Sequence, residues 1–172
     1  MLTTLENAKA WLNITDSASD AMLTRLITSA SEFIENWCGR RFAKQEYTER
    51  RDGHGNDVMV LGAWPVSQVS SVVIDGQPAS FVFDKTKVAL LGGNRFTRGR
   101  MNVLITYQAG YDTTPPDIEQ ACIDLVALRF KERDRIGHQS KSLAGETVTF
   151  FIGDLSPAAR GVLTQYRKVV PI

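Results

Sequence analysis

The sequence predicts a mainly α-helical protein with inserted antiparallel β-structure, that is, a bundle of about four helices carrying a small β-sheet (α+β). Near both ends of the chain, apolar residues recur every three or four positions, which is helical spacing. Between these regions, short alternating runs are separated by turn residues. We expect a single domain over residues 1–172, with a helical core at 1–44 and 112–172 and a β insertion at 45–111.

A short first helix is expected to run through Leu12, because Thr3 and Glu6 have the spacing of a capping box. A loop then leads to the longest amphipathic stretch, Asp20 to Gly39. We expect the first helix to bury Leu5, Ala8, Trp11 and Leu12, and the second to bury Leu23, Leu26, Ile27, Ala30, Ile34, Trp37 and Cys38.

The ends of the second helix are marked by Ser17 with Asp20, which resembles a capping box, and by Gly39. Glycine commonly ends helices in the left-handed conformation. A helix with such a wide apolar stripe requires another element to pack against.

The middle of the chain contains six strand-like runs, of which the first is polar and the third is rich in β-branched residues. Asp75-Gly76 is a hairpin signal between two of them. The predicted strands are Gln45 to Arg51, Val58 to Leu61, Val69 to Asp75, Phe81 to Phe83, Val88 to Leu91 and Asn102 to Tyr107.

Helical spacing returns after Thr114, which can cap a helix whose first turn holds two prolines. Its apolar stripe matches that of the second helix, so we expect the two to pack face to face. The alternating run from Glu146 to Ile152 and a last short helix from Ala158 to Lys168 complete the prediction.

The composition is that of an ordinary globular protein, with 43% hydrophobic and 23% charged residues. A net charge of +1 predicts no strong non-specific attraction to nucleic acid or membranes. No run approaches the roughly 20 apolar residues of a membrane span, and the first residues lack a signal-peptide pattern. We expect a protein made and kept in a cytoplasm, in which Cys38 and Cys122 are buried reduced thiols, a disulfide between them being the less favoured alternative.

Candidate catalytic residues are few. His54 lies near Asp52 and Asp57 in the sequence. These residues either have a metal-binding or acid–base role or are ordinary turn residues, and His138 is no stronger a candidate. The sequence has no cysteine spacing suited to zinc, no GxSxG and no phosphate-binding GK[ST]. We therefore predict that the protein is not an enzyme and has no catalytic residues, metal or cofactor.

Two stretches are candidates for interactions. The loop holding Arg95, Arg98 and Arg100, with Phe96 between them, either faces DNA or is a solvated hairpin tip. Residues 140–152 have a polar start and an apolar end, so they are either an arm laid on a neighbouring subunit or a hairpin folded on their own chain. The candidate interface residues are Ser140, Ser142, Gly145, Val148, Phe150 and Phe151.

Several segments along nearly the whole chain form one ordered pattern. They are Ala8 to Ile14, Asp20 with Leu26 to Glu35, Cys38 to Phe42, Tyr47 to Glu49 with Asp52-Gly53, Leu61 with Trp64 to Val66 ahead of Val69 and Val72-Val73, Tyr107 to Tyr111, Pro115 to Ile118, and Ser140 to Glu146. Taken in this order, they resemble the head–tail connector (adaptor, or head-completion) proteins of long-tailed bacteriophages.

The resemblance implies a structural subunit of a phage or prophage, located at the head–tail junction of the virion after assembly in the bacterial cytoplasm. Such subunits form a ring, commonly twelvefold, beneath the portal protein. The ring extends the channel through which DNA passes without sequence recognition, and it receives a stopper or tail-completion protein. No membrane partner is implied.

Two other functions stay open from the sequence. The first is a small DNA-binding or packaging accessory protein that uses the basic loop at residues 92–100. The second is a hydrolase that uses His54 with Asp52 or Asp57.

Overall fold

The computed structural model describes residues 1–133, 140–143, 146–149 and 155–168. The chain divides into two compact units. Met1–Arg40 with Thr114–Ile172 forms the helical unit, and Arg41–Thr113 forms the β unit. The β unit is therefore a continuous segment inserted between two parts of the helical unit.

Four helices are described in the helical unit: α1 (Leu5–Leu12), α2 (Asp20–Cys38), α3 (Pro116–Glu132) and α4 (Pro157–Tyr166). The starts of the first two helices differ from the predicted caps by one or two residues. Thr4 rather than Thr3 caps α1, and its side chain accepts a hydrogen bond from the backbone N–H of Asn7. Ser19 precedes α2 without a side-chain cap, and Gly39 ends that helix at φ +66° as predicted.

Helices α2 and α3 pack against each other as the matching stripes predicted. Ser31 is a buried polar residue, and its hydroxyl accepts a hydrogen bond from the backbone N–H of Leu2 at 2.9 Å. The same oxygen lies 3.7 Å from the sulfur of Cys122 on α3. The buried stripe of α2 comprises Leu23, Ile27, Ala30, Ser31, Ile34 and Cys38.

Two tryptophans are less buried than the helical pattern predicted. Trp11 is 57% exposed, because only Ala8 of α1 is fully buried and Trp11 lies outside the covered stripe. Trp37 is half-buried, and the guanidinium of Arg167 lies 5.4 Å from its ring centroid. The predicted burial of Trp11 was therefore wrong, and that of Trp37 is only partial.

The β unit contains seven described strands in two antiparallel sheets. One sheet has the order β1-β7-β3-β4 and the other β2-β6-β5. The strands are β1 (Gln45–Gly53), β2 (Val58–Val60), β3 (Val66–Ile74), β4 (Gln77–Pro78), β5 (Phe81–Phe83), β6 (Lys87–Leu90) and β7 (Gly99–Ala109). The predicted hairpin at Asp75-Gly76 is confirmed, since both residues have positive φ and join β3 to β4.

The seven strands bury a core of their own. Tyr107 is a fully buried member of this core, and its ring stacks on Tyr47 of β1 with centroids 5.5 Å apart. The other buried members are Met59, Leu61, Val66, Val69, Val72, Val88, Leu90, Phe96, Val103, Ile105 and Ala109.

This core corrects the predicted fold class. A helical bundle with a small β-sheet insertion was wrong, because the inserted segment forms two sheets around a separate hydrophobic core. Alternation along each run showed that strands form, but it carried no information on how many would pair or close around a common interior. The protein is an α+β chain with a helical unit and a substantial β unit.

Candidate interaction surfaces

The basic loop joins β6 to β7 and is anchored at its middle. Phe96 is buried in the core of the β unit, with 1% of its surface exposed. Its backbone N–H donates to the oxygen of Asn56 at 2.8 Å, and its oxygen accepts from the N–H of Gly55 at 2.7 Å. The proposal that Phe96 contacts nucleic acid together with the arginines was therefore wrong, since its ring is not available for stacking.

The side chains of Arg95, Arg98 and Arg100 are exposed. The Arg95 guanidinium donates to the backbone oxygen of Gly55 at 3.4 Å. The Arg98 side chain lies against Gly55, where a Cβ atom would be 3.3 Å from Nε. Two of the three arginines thus lie beside the turn that follows β1, and all three present charge to solvent.

Asn102 holds the base of this loop. Its side-chain oxygen accepts from the N–H of Gly53 at 2.9 Å, and its Nδ2 donates to the backbone oxygen of Thr97 at 3.0 Å and to Asp75 at 3.2 Å. Asp75 also accepts from the Thr97 hydroxyl at 2.5 Å. Sequence reasoning missed Asn102, because an asparagine in a strand carries no signal of the partners that folding brings to it.

His54 is exposed in the turn after β1. Asp52 accepts a hydrogen bond from the backbone N–H of Met101 at 2.6 Å, so this carboxylate supports the start of β7. Among the described residues, no group of three or more His, Cys, Asp or Glu side chains is placed to hold a metal ion.

A part-buried polar contact in the β unit joins Tyr107 to Glu49. The Tyr107 hydroxyl donates to the Glu49 carboxylate and accepts from the N–H of Ala63 at 3.0 Å. Burial first, and the hydrogen bond to Glu49 second, raise the pKa of Tyr107 above its usual value. The Glu49 carboxylate also accepts from the N–H of Gly62 at 2.9 Å and from Arg51 at 2.9 Å. These contacts fix strands and a loop to one another.

The helical unit has an apolar pocket of about 280 Å³. The polar residue Asp124 accepts a hydrogen bond from Gln120 at 2.8 Å. The pocket is lined by Ala121, Asp124, Leu125, Leu128, Leu155, Ser156 and Ala159.

Part of the predicted arm is described as a hairpin. Strand β8 (Ser140–Leu143) pairs antiparallel with β9 (Glu146–Thr149), with Ser142 opposite Thr147 and Lys141 opposite Val148. Gly145, Phe150 and Phe151 lie outside the described residues. No helix in the described part of the chain is long and apolar enough to cross a membrane.

The fold is similar to that of neck proteins from phage-like particles. One match, titled "Neck of empty GTA particle computed with C6 symmetry", has a TM-score of 0.64 and 18% identity and covers 99% of this chain and 92% of that one. A second, from a virion of a native gene transfer agent (GTA) particle, has a TM-score of 0.62 and 16% identity, with the same coverage.

A third solved structure, titled "Neck of native GTA particle computed with C12 symmetry", has a TM-score of 0.56 and 16% identity and covers 89% of this chain and 85% of that one. No curated protein sequence matches the chain.

The chain belongs to the head completion protein family, whose model matches residues 1–169. It is thus a structural protein of the bacteriophage head–tail junction, and the resemblance seen in the sequence is confirmed.

Proposed function

We propose that this protein is a subunit of a homo-oligomeric ring in the virion that docks beneath the portal, extends the DNA channel and receives a stopper or tail-completion protein. The family match over residues 1–169 carries the proposal. Additional support comes from the shared fold, because two of the similar neck structures were computed with sixfold and twelvefold symmetry. The ring would assemble in the bacterial cytoplasm, and no chemical bond is made or broken.

A head-to-tail ring requires two complementary patches on every copy. We propose that residues 140–152 supply one patch, with Ser140, Ser142, Gly145, Val148, Phe150 and Phe151 as contacts. The described hairpin supports this role, because β8 and β9 form a sheet of two strands, and such a sheet alone is marginally stable in water. Packing on a neighbouring subunit would stabilise it.

The second patch is proposed to lie on α2 and α3. Their apolar stripes are buried inside the helical unit. The surface left for a neighbouring arm is therefore the outward side of the two helices, which on α2 includes the exposed Arg25, Thr28 and Glu32.

Light scattering and negative-stain images of the same sample test the ring. We expect masses that are multiples of one chain, and annular particles. Replacing residues 140–152 with a Gly–Ser linker of equal length should leave monomers, whereas the exposed α1 substitution Glu6→Ala, as control, should leave the rings intact. Rings of normal yield from the linker variant would show that the arm is not a subunit contact.

A second candidate is a DNA-binding or packaging accessory role, favoured by the exposed Arg95, Arg98 and Arg100. A gel-shift titration against salt separates the two functions, because phosphate contacts make affinity fall steeply as salt rises. A tight, salt-sensitive complex that is lost when the three arginines are changed to alanine, and kept in Arg25→Ala, would favour the accessory role. The ring function predicts weak binding that depends little on these arginines.

The hydrolase alternative predicts activity that depends on His54. We expect His54→Ala to assemble like the wild type. Turnover of a substrate by purified protein that disappears in this variant would instead establish an enzyme.

A further inference from the structure

The three-stranded sheet β2-β6-β5 has two unlike edges. Strand β6 lies in the middle and is antiparallel to both neighbours, so β2 and β5 run in the same direction. Each edge strand has three residues, Val58–Val60 in β2 and Phe81–Phe83 in β5. No other described strand pairs with either outer edge.

Hydrogen bonds at the ends of β2 show which of its backbone groups face outwards. The oxygen of Asp57 accepts from β6 at 2.8 Å, and the N–H of Leu61 donates to the residue preceding β6 at 2.9 Å. In an antiparallel ladder, alternate residues bond to the same neighbour. The N–H and C=O groups of Val58 and Val60 therefore point away from β6, towards the free edge.

The same argument applies to β5. The oxygen of Ser80 accepts a hydrogen bond from Leu91 at 2.9 Å, and the N–H of Asp84 donates to Lys87 at 2.9 Å. Phe81 and Phe83 alternate with these bonded positions, so their backbone groups point outwards. Both edges thus offer donors and acceptors in the spacing of a further strand.

The side chains at these edges are apolar and accessible. Val58 is 39% exposed, Val60 63% and Val82 51%. Native proteins usually protect exposed edges with charged residues. The edge strand β1 of the other sheet follows that rule with Glu46 and Arg50, which are exposed, whereas β2 and β5 carry no charged residue.

We propose that β5 of one copy pairs in parallel with β2 of the next, so that the three-stranded sheets join edge to edge around the ring. This inference rests on the proposed ring function. Neighbours in a large ring differ by a small rotation, which preserves the common direction of β2 and β5. We take the pairing strand to come from a second copy, because β2 and β5 have the same length, run in the same direction and both carry apolar side chains.

The register agrees with the side-chain faces. Val58, Ala89 and Val82 already form a cross-strand row within one copy. With Val82 placed opposite Val58 of the next copy, the outward N–H of Val58 meets the oxygen of Phe81, and its oxygen meets the N–H of Phe83. This is the pattern of a parallel ladder, and the apolar row continues into the next sheet.

Two single substitutions test the junction, one on each edge. Val58→Glu and Val82→Glu place a charge on solvent-exposed positions that lie opposite each other in the proposed strand pair, and Thr48→Glu at an exposed position of β1 is the matched control. Each edge variant alone should have the mass of one chain in light scattering, while Thr48→Glu should form rings. In an equal mixture, the intact β5 of Val58→Glu can pair with the intact β2 of Val82→Glu. Both outer edges of that dimer carry a substitution, so assembly should stop at dimers.

Circular dichroism and thermal melting establish that the variants fold. If either unfolds, the double variant Val58→Cys/Val82→Cys is used instead, and its disulfide under mild oxidation should link copies into a covalent ladder. Wild-type protein that never forms rings would remove the proposed function and this inference together. Normal rings from Val58→Glu or Val82→Glu, dimers from Val58→Glu alone, or cysteine variants that do not link would overturn this inference and leave the ring function standing.

Discussion

At the scale of the residue, the Tyr107 hydroxyl connects three parts of the β unit. It belongs to β7, donates to Glu49 on β1 and accepts from the backbone of Ala63 in the loop that precedes β3. Because the ring is fully buried and stacked on Tyr47, the hydroxyl has few other ways to satisfy its hydrogen bonds. One side chain thus fixes the position of a loop as well as the pairing of two strands.

Tyr107→Phe is expected to lower the free energy of unfolding by about 1–3 kcal/mol, because the N–H of Ala63 and the Glu49 carboxylate lose a buried partner. Tyr47→Phe is the matched control, since the Tyr47 hydroxyl accepts from Gln45 at an exposed position. Urea denaturation measures both variants. If both variants lose the same free energy of unfolding, the hydrogen bond to Glu49 adds no stability of its own.

The two buried thiols should make stability fall at high pH. Burial is the main cause that raises the pKa of both Cys38 and Cys122 from 9.0 to about 11. A thiol with a raised pKa holds its proton in the folded state after the unfolded chain has lost it. The contribution to stability is therefore fully present below about pH 9 and is lost as the pH rises through about 11.

Between pH 9 and 11, Cys122→Ala should reduce the slope of unfolding free energy against pH by up to about 1.4 kcal/mol per pH unit. Ile118→Val, a buried change on the same helix without a titrating group, should keep the wild-type slope. Urea denaturation at a series of pH values measures these slopes. Identical slopes for Cys122→Ala and wild type would rule out this thiol as a source of the alkaline loss.

At the scale of the element, the packing of α2 against α3 depends on their buried apolar stripes. Ile34 is 0% exposed on α2, and Ile118 and Cys122 are 0% exposed on α3. Arg129 extends the contact at the rim, where it donates to the Ser29 hydroxyl at 3.2 Å and lies 5.4 Å from the Phe33 ring centroid. The rim adds little, because exposed polar contacts are weak compared with full burial.

Ile34→Ala should therefore lower the free energy of unfolding by about 2–5 kcal/mol through lost burial and the cavity that remains. Glu32→Ala, which changes an exposed position on the same helix, should stay within about 0.5 kcal/mol of wild type. Thermal and urea unfolding measure the difference. A small effect of Ile34→Ala would mean that the interior of the helical unit rearranges to fill the space.

At the scale of the whole molecule, the β unit is a single inserted segment whose two ends lie next to each other. The N–H of Lys44 donates to the oxygen of Tyr111 at 3.0 Å, and the N–H of Tyr111 donates to the oxygen of Phe42 at 2.8 Å. The rings of Phe42 and Tyr111 also stack with centroids 6.5 Å apart. A segment with adjacent ends and its own core has the features of an independently folding unit.

Residues 41–113 expressed alone should fold cooperatively, with dispersed amide resonances and a single thermal transition. The variant Val72→Asp, which buries a charge in the core of this unit, should abolish that transition. A wild-type segment that stays unfolded under the same conditions would show that the β unit depends on the helical unit.

Helical spacing predicted four helices, because periodicity and end signals such as Gly39 act within a few residues of each other. Alternation and the Asp75-Gly76 turn predicted the strands for the same reason. The order of segments from Ala8 to Glu146 was sufficient for the family resemblance, which the family model confirmed. The exposed arginines of the basic loop were also apparent, since charged side chains seldom bury.

Tertiary structure alone decided which strands share a sheet, that Phe96 is buried and Trp11 exposed, and that Asn102 and Glu49 hold distant parts of the β unit. These properties depend on partners 13 to 58 positions away along the chain, as in the Glu49 contacts with Gly62 and Tyr107. Local patterns specify what an element is, whereas its neighbours and free edges are set by long-range packing, which spacing along the chain does not encode.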